Sequence, residues 1–109
     1  MTTRQCVKVA ELRKIGYQTL VDWLKNPNHI YVGRATPYVE GATKHIFCNP
    51  FPVKKFGIDD CLELYNVYFE DILRKQYPKE LQELKNKVLG CYCLPNERCH
   101  CDILIDYLG

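Results

Sequence analysis

No apolar run in this chain approaches about 18 residues, the length that a membrane-spanning helix requires. The first residues, "MTTRQCVKVAELRK", have no apolar core of the kind a signal peptide carries. Both absences predict an intracellular, cytoplasmic protein with no membrane partner. Charge of one sign is not in excess either. The net charge is +2, and basic residues such as Lys8, Arg13, Arg34, Lys54 and Lys75 are scattered among acids. A nucleic-acid footprint concentrates its cations on one face, so nucleic acid is not favoured as a partner. No internal repeat, linker or break in composition divides the chain, and its length suits one domain. Hydrophobic residues at 47% and charged residues at 26% exclude a disordered or collagen-like chain.

Within that one domain, strand and helix patterns alternate. "QCVKVA" (5–10) alternates around Val7 and Val9 and predicts a short strand. "TLVDWLKN" (19–26) predicts a helix capped by Thr19 with Asp22 three positions on, ended by Pro27 and Asn28. "HIYVG" (29–33) predicts a strand closing on Gly33. Residues 35–57 hold three prolines and two glycines and read as an ordered loop with a short strand at 45–48. In "IDDCLELYNVYFEDILRKQY" (58–77), Ile58, Cys61, Leu62, Tyr65, Tyr68, Phe69, Ile72 and Leu73 form one apolar stripe at helical spacing. Asp59 and Asp60 suit the positive end of that helix's dipole, and Arg74 and Lys75 the negative end. A shorter helix over 79–86, a buried strand over 87–93 and a helix over 101–108 complete the chain. The alternation implies an α/β fold, a single compact domain with a small, mostly parallel sheet flanked by helices.

Four of the seven cysteines, Cys91, Cys93, Cys99 and Cys101, lie between positions 91 and 101 beside His100. In a reducing compartment structural disulfides are uncommon, and an odd cysteine count forbids full pairing within the chain. The cluster straddles a strand end and a helix start, where open α/β sheets bind ligands and where free N–H groups favour anions, thiolates included. Three chemistries fit. Cys91, Cys93 and Cys99 with either His100 or Cys101 supply a tetrahedral set suited to zinc, although C-x-C is tighter than the usual C-x(2–4)-C. Alternatively one thiol has a lowered pKa and His100 serves as its base or acid. Or the cysteines are small buried hydrophobes. Cys6, Cys48 and Cys61 fall on predicted core faces and read as packing residues. His29 and His45 lie at loop edges with no partner evident in the sequence.

The motifs "YVGR" (31–34), "NPF" (49–51), "CLELY" (61–65) and "LGCYC" with "CH" and Asp102 across 89–104 occur in one order. Together they make the chain resemble the family described as domain of unknown function 4326, proteins of bacteria, phages and large DNA viruses. The upstream "LRKIGYQTLVDWLKNPNHIYVGR" looks like the version found in large viruses. The resemblance implies shared positions at Gly33, Arg34, Asn49, Pro50, Phe51, Tyr65, Gly90, Cys91, Cys93, Pro95, Cys99, His100 and Asp102, and it carries no activity with it. The family usually has glycine where this chain has Cys101, which weakens Cys101 as part of any shared chemistry. It often has tryptophan where this chain has Phe47.

Read one by one, Gly33 either makes a turn or lets backbone approach a ligand. Arg34 at the same strand end either forks onto a phosphate or carboxylate or forms a salt bridge. Asn49 before Pro50 either caps a turn or hydrogen-bonds a ligand edge. Asp102 either balances a helix N-terminus or orients His100. The expectation carried forward is a pocket for a small anionic ligand, a nucleotide or nucleotide sugar. Gly33, Arg34, Asn49, Pro50 and Phe51 would bind it, and Cys93, Cys99, His100 and Asp102 would supply chemistry. The alternative is a non-catalytic module with structural zinc on Cys91, Cys93, Cys99 and His100.

Overall fold

"VLGC" (88–91) is apolar on both faces, the pattern of a strand buried between two layers. In the computed structural model, which describes residues 1–109, that stretch is the central strand of a three-stranded parallel sheet. Strand β1 (Thr3–Cys6) pairs with β3 (Val88–Cys91) in the register Cys6 to Cys91. On the other side β2 (His29–Tyr31) pairs with β3 in the register Tyr31 to Gly90. The sheet order is therefore β1-β3-β2, all parallel.

Each face of the sheet carries its own core. Leu89 and Cys91 point into the larger one, with Phe47, Tyr65, Phe69 and Leu104. This core is closed by α3 (Val53–Tyr68), α5 (Pro78–Gln82) and α6 (His100–Leu108). The smaller core, around Val7, Leu12, Leu20 and Trp23, lies under α1 (Val9–Lys14) and α2 (Leu20–Leu24). As expected, the Thr19 hydroxyl accepts a hydrogen bond from Asp22 N–H at 3.1 Å. Asp22 in return accepts from Gln18 N–H, one residue earlier than a standard capping box would have it.

Three expected elements come out differently. The strand predicted over 5–10 ends at Cys6, and the chain turns at Lys8 into α1. Val9, taken as a strand position, is 46% exposed, while Leu12 is fully buried. The alternation of Val7 and Val9 was thus the end of a strand meeting the start of a helix. No strand forms at 45–48; Cys48 N–H donates to His45 O in a turn, and Phe47 is buried from that turn. The helix expected from 58 is preceded by one further turn from Val53, with Gly57 at φ 77° breaking the two apart. Only glycine takes that conformation cheaply, so Asp59 and Asp60 do open the regular helix. That helix widens into a π segment (Phe69–Leu73) before α4 (Arg74–Gln76). Pro78 then opens α5 at its first position, where its missing N–H costs nothing.

Both remaining histidines have structural partners. His29 stacks on Trp23 with ring centroids 4.2 Å apart and its Nδ1 lies 2.8 Å from Trp23 O. His45 Nδ1 accepts from Phe47 N–H, and burial holds its pKa below the ordinary histidine value.

Gly90 is the tightest point of the sheet. A Cβ there would lie 2.8 Å from the Trp23 ring and 3.0 Å from Val7. Gly90→Ala is therefore expected to destabilise the protein by about 1–3 kcal/mol through overpacking. Urea unfolding followed by tryptophan fluorescence measures it, and a midpoint equal to that of the parent would contradict the packing described.

Candidate ligand and metal site

Parallel neighbours end on the same side of a sheet, so β2 and β3 deliver their C-terminal ends together. The pairing runs one residue past the strands, with Val32 N–H donating to Gly90 O at 3.0 Å. Beyond it lie Gly33 and Arg34 on one chain segment and Tyr92 and Cys93 on the other. The 94–98 loop then returns the chain to Cys99, which caps α6. Asp102 N–H donates to Cys99 O at 3.0 Å, and Cys99 N–H donates to Asp102 Oδ2 at 3.3 Å, closing the reciprocal cap of the helix. Asp102 thus takes the first of its two expected positions, at the helix start.

Arg4 of β1 holds this arrangement from beneath. Its Nε lies 3.3 Å from Asp102 Oδ1. Its Nη2 donates to Pro95 O at 3.2 Å and to Glu97 O at 2.6 Å. Arg98 ties the same loop to Asp59 of α3. Nothing in the sequence pointed to Arg4, because the contacts it makes span more than ninety residues of chain.

The sulfurs converge at Cys99. Those of Cys91, Cys93 and Cys99 lie within 4.8 Å of one another, and so do Cys99 Sγ, a His100 ring nitrogen and Cys101 Sγ. All seven cysteines are free thiols. Contact with the Cys101 thiol is the main influence holding Cys99 and Cys91 below the ordinary cysteine range. Contact with Cys91 is the main influence raising Cys93 and Cys101. Ionisation is therefore favoured at Cys91 and Cys99, which are buried, over Cys93, which is half-exposed.

His100 is buried, edge-on to Tyr65 at 5.0 Å between centroids. Its Nε2 lies 2.9 Å from Val32 O. A carbonyl only accepts, so Nε2 carries the proton. Nδ1, 3.7 Å from Cys99 Sγ, is left with a lone pair in the neutral ring. Asp102 takes no part in orienting this ring.

A cleft of about 320 Å³ opens beside the cluster. Gly33, Arg34, Asn49 and Phe51 line one side, and Cys91, Cys93 and His100 line the other. The residues singled out from sequence thus meet in one place, with three exceptions. Pro50 is exposed and does not line the cleft, and Cys99 and Asp102 face a separate shallow depression next to Asp59 and Arg98. Thr36, Val53 and Tyr92, not anticipated, complete the lining. Cys93 also borders a second cavity with Arg4, Gln5 and Cys6, so its side chain is a partition between two hollows.

The individual roles are specific. Gly33 makes room for its neighbour, since a Cβ would stand 2.8 Å from the Tyr31 ring, whose hydroxyl donates to Arg34 O. Asn49 caps a turn: its Oδ1 accepts from Phe51 N–H at 2.9 Å, and its Nδ2 donates to Cys61 Sγ at 3.0 Å. Cys61 in turn donates to Phe51 O, so this packing residue also fixes the rim. Arg34 is exposed and takes part in none of the ion pairs of the protein.

Arg4→Ala removes the common anchor of the 94–98 loop and of Asp102. The expected result is a loss of about 1–3 kcal/mol, the cost of leaving such acceptors without their charged donor, together with faster amide exchange confined to residues 94–99. Exchange mapped by mass spectrometry checks this; protection there unchanged from the parent would show that the loop holds itself.

No curated protein and no solved structure matches the chain. The family model that does match covers residues 16–109, from just past α1 through α6. It takes in every residue of the cleft and the sulfur cluster and leaves out β1 with Arg4. With the match spanning most of the chain, the protein belongs to the family described as domain of unknown function DUF4326.

Proposed function

We propose that the cleft binds a small anionic ligand of the nucleotide class. The observation that carries this reading is that Arg34, exposed and free of any carboxylate, shares one cleft with His100 and Cys93 at the carboxyl edge of a parallel sheet. A guanidinium in that position forks onto a phosphate. Ligand pockets span roughly 300–1,000 Å³, and 320 Å³ is at the small end. That size suits a single nucleoside phosphate better than a nucleotide sugar. Phe51 and Tyr92 offer aromatic walls for a base. Because its amide is already engaged at both ends, Asn49 serves by shaping the rim. Cys91, Cys93 and His100 are the groups of the cluster that would face the ligand, with Cys99 behind them, its N–H held by Asp102 at the start of α6.

A thermal-shift series with nucleoside monophosphates, diphosphates and inorganic phosphate tests this. At least one of them is expected to raise the melting temperature of the parent and to have no effect on Arg34→Ala. The unliganded melt of the variant should change little, within about 0.5 kcal/mol, as befits an exposed side chain. A ligand-induced shift that survives in Arg34→Ala would remove Arg34 from the site, and no shift with any member of the series would remove the reading.

A second reading, structural zinc on Cys91, Cys93, Cys99 and His100, is favoured by the convergence of the three sulfurs and by His100 Nδ1 standing 3.7 Å from Cys99 Sγ. A histidine whose far ring N–H donates to a backbone carbonyl has the second-shell support common to metal-bound imidazoles. Purified protein would then carry about one equivalent of zinc and lose melting temperature on chelation. Metal-free protein whose melt ignores both added zinc and chelator would dismiss this reading and leave the first untouched.

A further inference from the structure

We propose that the metal site is a tetrathiolate made by Cys91, Cys93, Cys99 and Cys101, with His100 outside the ligand set. This rests on the zinc reading and deepens it. It also reverses the weight that the resemblance placed against Cys101.

Contacts among the thiols come first. The sulfurs of Cys91, Cys93 and Cys99 lie within 4.8 Å of one another, and that of Cys101 lies within 4.8 Å of Cys99 Sγ, so Cys99 is the sulfur common to both groups. His100 comes close to Cys99 and Cys101 and not to Cys91 or Cys93, and it meets Cys99 Sγ through one edge of its ring at 3.7 Å. The chain supplies the four sulfurs as two matched pairs: Cys91-x-Cys93 where β3 ends, and Cys99-x-Cys101 where α6 begins. Tetrahedral zinc with sulfur at about 2.3 Å sets sulfurs about 3.8 Å apart. Cys91, Cys93 and Cys99, within 4.8 Å of one another, therefore need to close by only about 1 Å to meet that geometry, and Cys101, already within 4.8 Å of Cys99, would swing in from the first turn of α6 to complete it.

Charge is the second argument. Four thiolates around a divalent ion leave a dianion, which in a buried place needs cations. Two lie against it. The guanidinium of Arg4 interacts with Cys91, and its Nη1 is buried with no hydrogen-bond partner. A neutral thiol is a poor acceptor for that nitrogen, whereas a metal-bound thiolate is a good one. The first turn of α6 supplies the positive end of a helix dipole to Cys99 and Cys101. Three thiolates and a neutral imidazole would leave a monoanion, with less need for both.

Zinc-edge X-ray absorption on the full chain, purified under reducing conditions and loaded with Zn²⁺, decides between the sets. The expected spectrum has four sulfurs at about 2.3 Å and no nitrogen shell at about 2.0–2.1 Å. A fit with a nitrogen or oxygen scatterer overturns the tetrathiolate and leaves the zinc reading standing. Protein that retains no zinc after loading and desalting overturns both. In parallel, Cys101→Ser should lose zinc to a chelator that the parent withstands, and His100→Gln should keep it. The reverse pattern overturns the proposal, and if Cys101→Ser does not fold, the spectrum of the parent still decides.

Discussion

The parallel pairing of β3 with a strand on each side is the constraint on which the rest of this structure depends. It requires β3 to be apolar on both faces, and it obliges β1 and β2 to end where β3 ends. Three chain segments therefore emerge at one edge, and the return of the chain through α6 brings a helix N-terminus to the same place. Cys91, Val32 and Arg34 are at the site because the sheet register puts them there. Gly90 shows how little slack this leaves: the strand can be packed from both sides only because one residue has no side chain.

Fixed positive groups border the thiols: the Arg4 guanidinium and the first turn of α6. Cys91 and Cys99 are both held toward the thiolate. Arg4 lies beneath them, and Asp102 links that arginine to the cap of α6. Arg34 is placed differently, since it faces solvent across the cleft and balances nothing within the protein. One arginine thus belongs to the cluster and the other is available to something outside it. This division separates the cleft from the cluster physically, with Cys91, Cys93 and His100 as their shared wall.

Much of this could be read from the sequence, and the parts that could not have a common cause. The central strand, the long helix with its apolar stripe, the Thr19 cap and the meeting of Arg34 with the Cys/His segment all follow from local periodicity and from the rule that parallel strands end together. α1 was hidden because Val7 and Val9 imitate strand alternation across a turn. Phe47 sits deep in the core from a turn, which no periodicity reports. Arg4 was invisible because its partners lie at the other end of the chain. Cys101 was an alternative to His100 as fourth ligand, and the proposal in its favour has a sequence counterpart: the second C-x-C repeats the first after five residues. The tertiary engagement of Asn49 with Cys61 and Phe51 could not have been separated from ligand binding by its motif alone.

The span of the Arg4 contacts has a consequence for the order in which the molecule is assembled. Everything from α2 to α6 can meet through the middle and end of the chain, but β1 pairs Thr3 with Val88 and sends Arg4 to the 94–98 loop. Closing so long a loop carries the largest entropic cost in the fold. Docking of β1 is the step that seats a cation under the sulfurs and fastens the loop over them. Without β1 in place, the 94–98 loop would lack its Arg4 anchor. The strand that completes the sheet is thereby also the latch of the site, and a metal acquired before it closes would be enclosed by the act of folding.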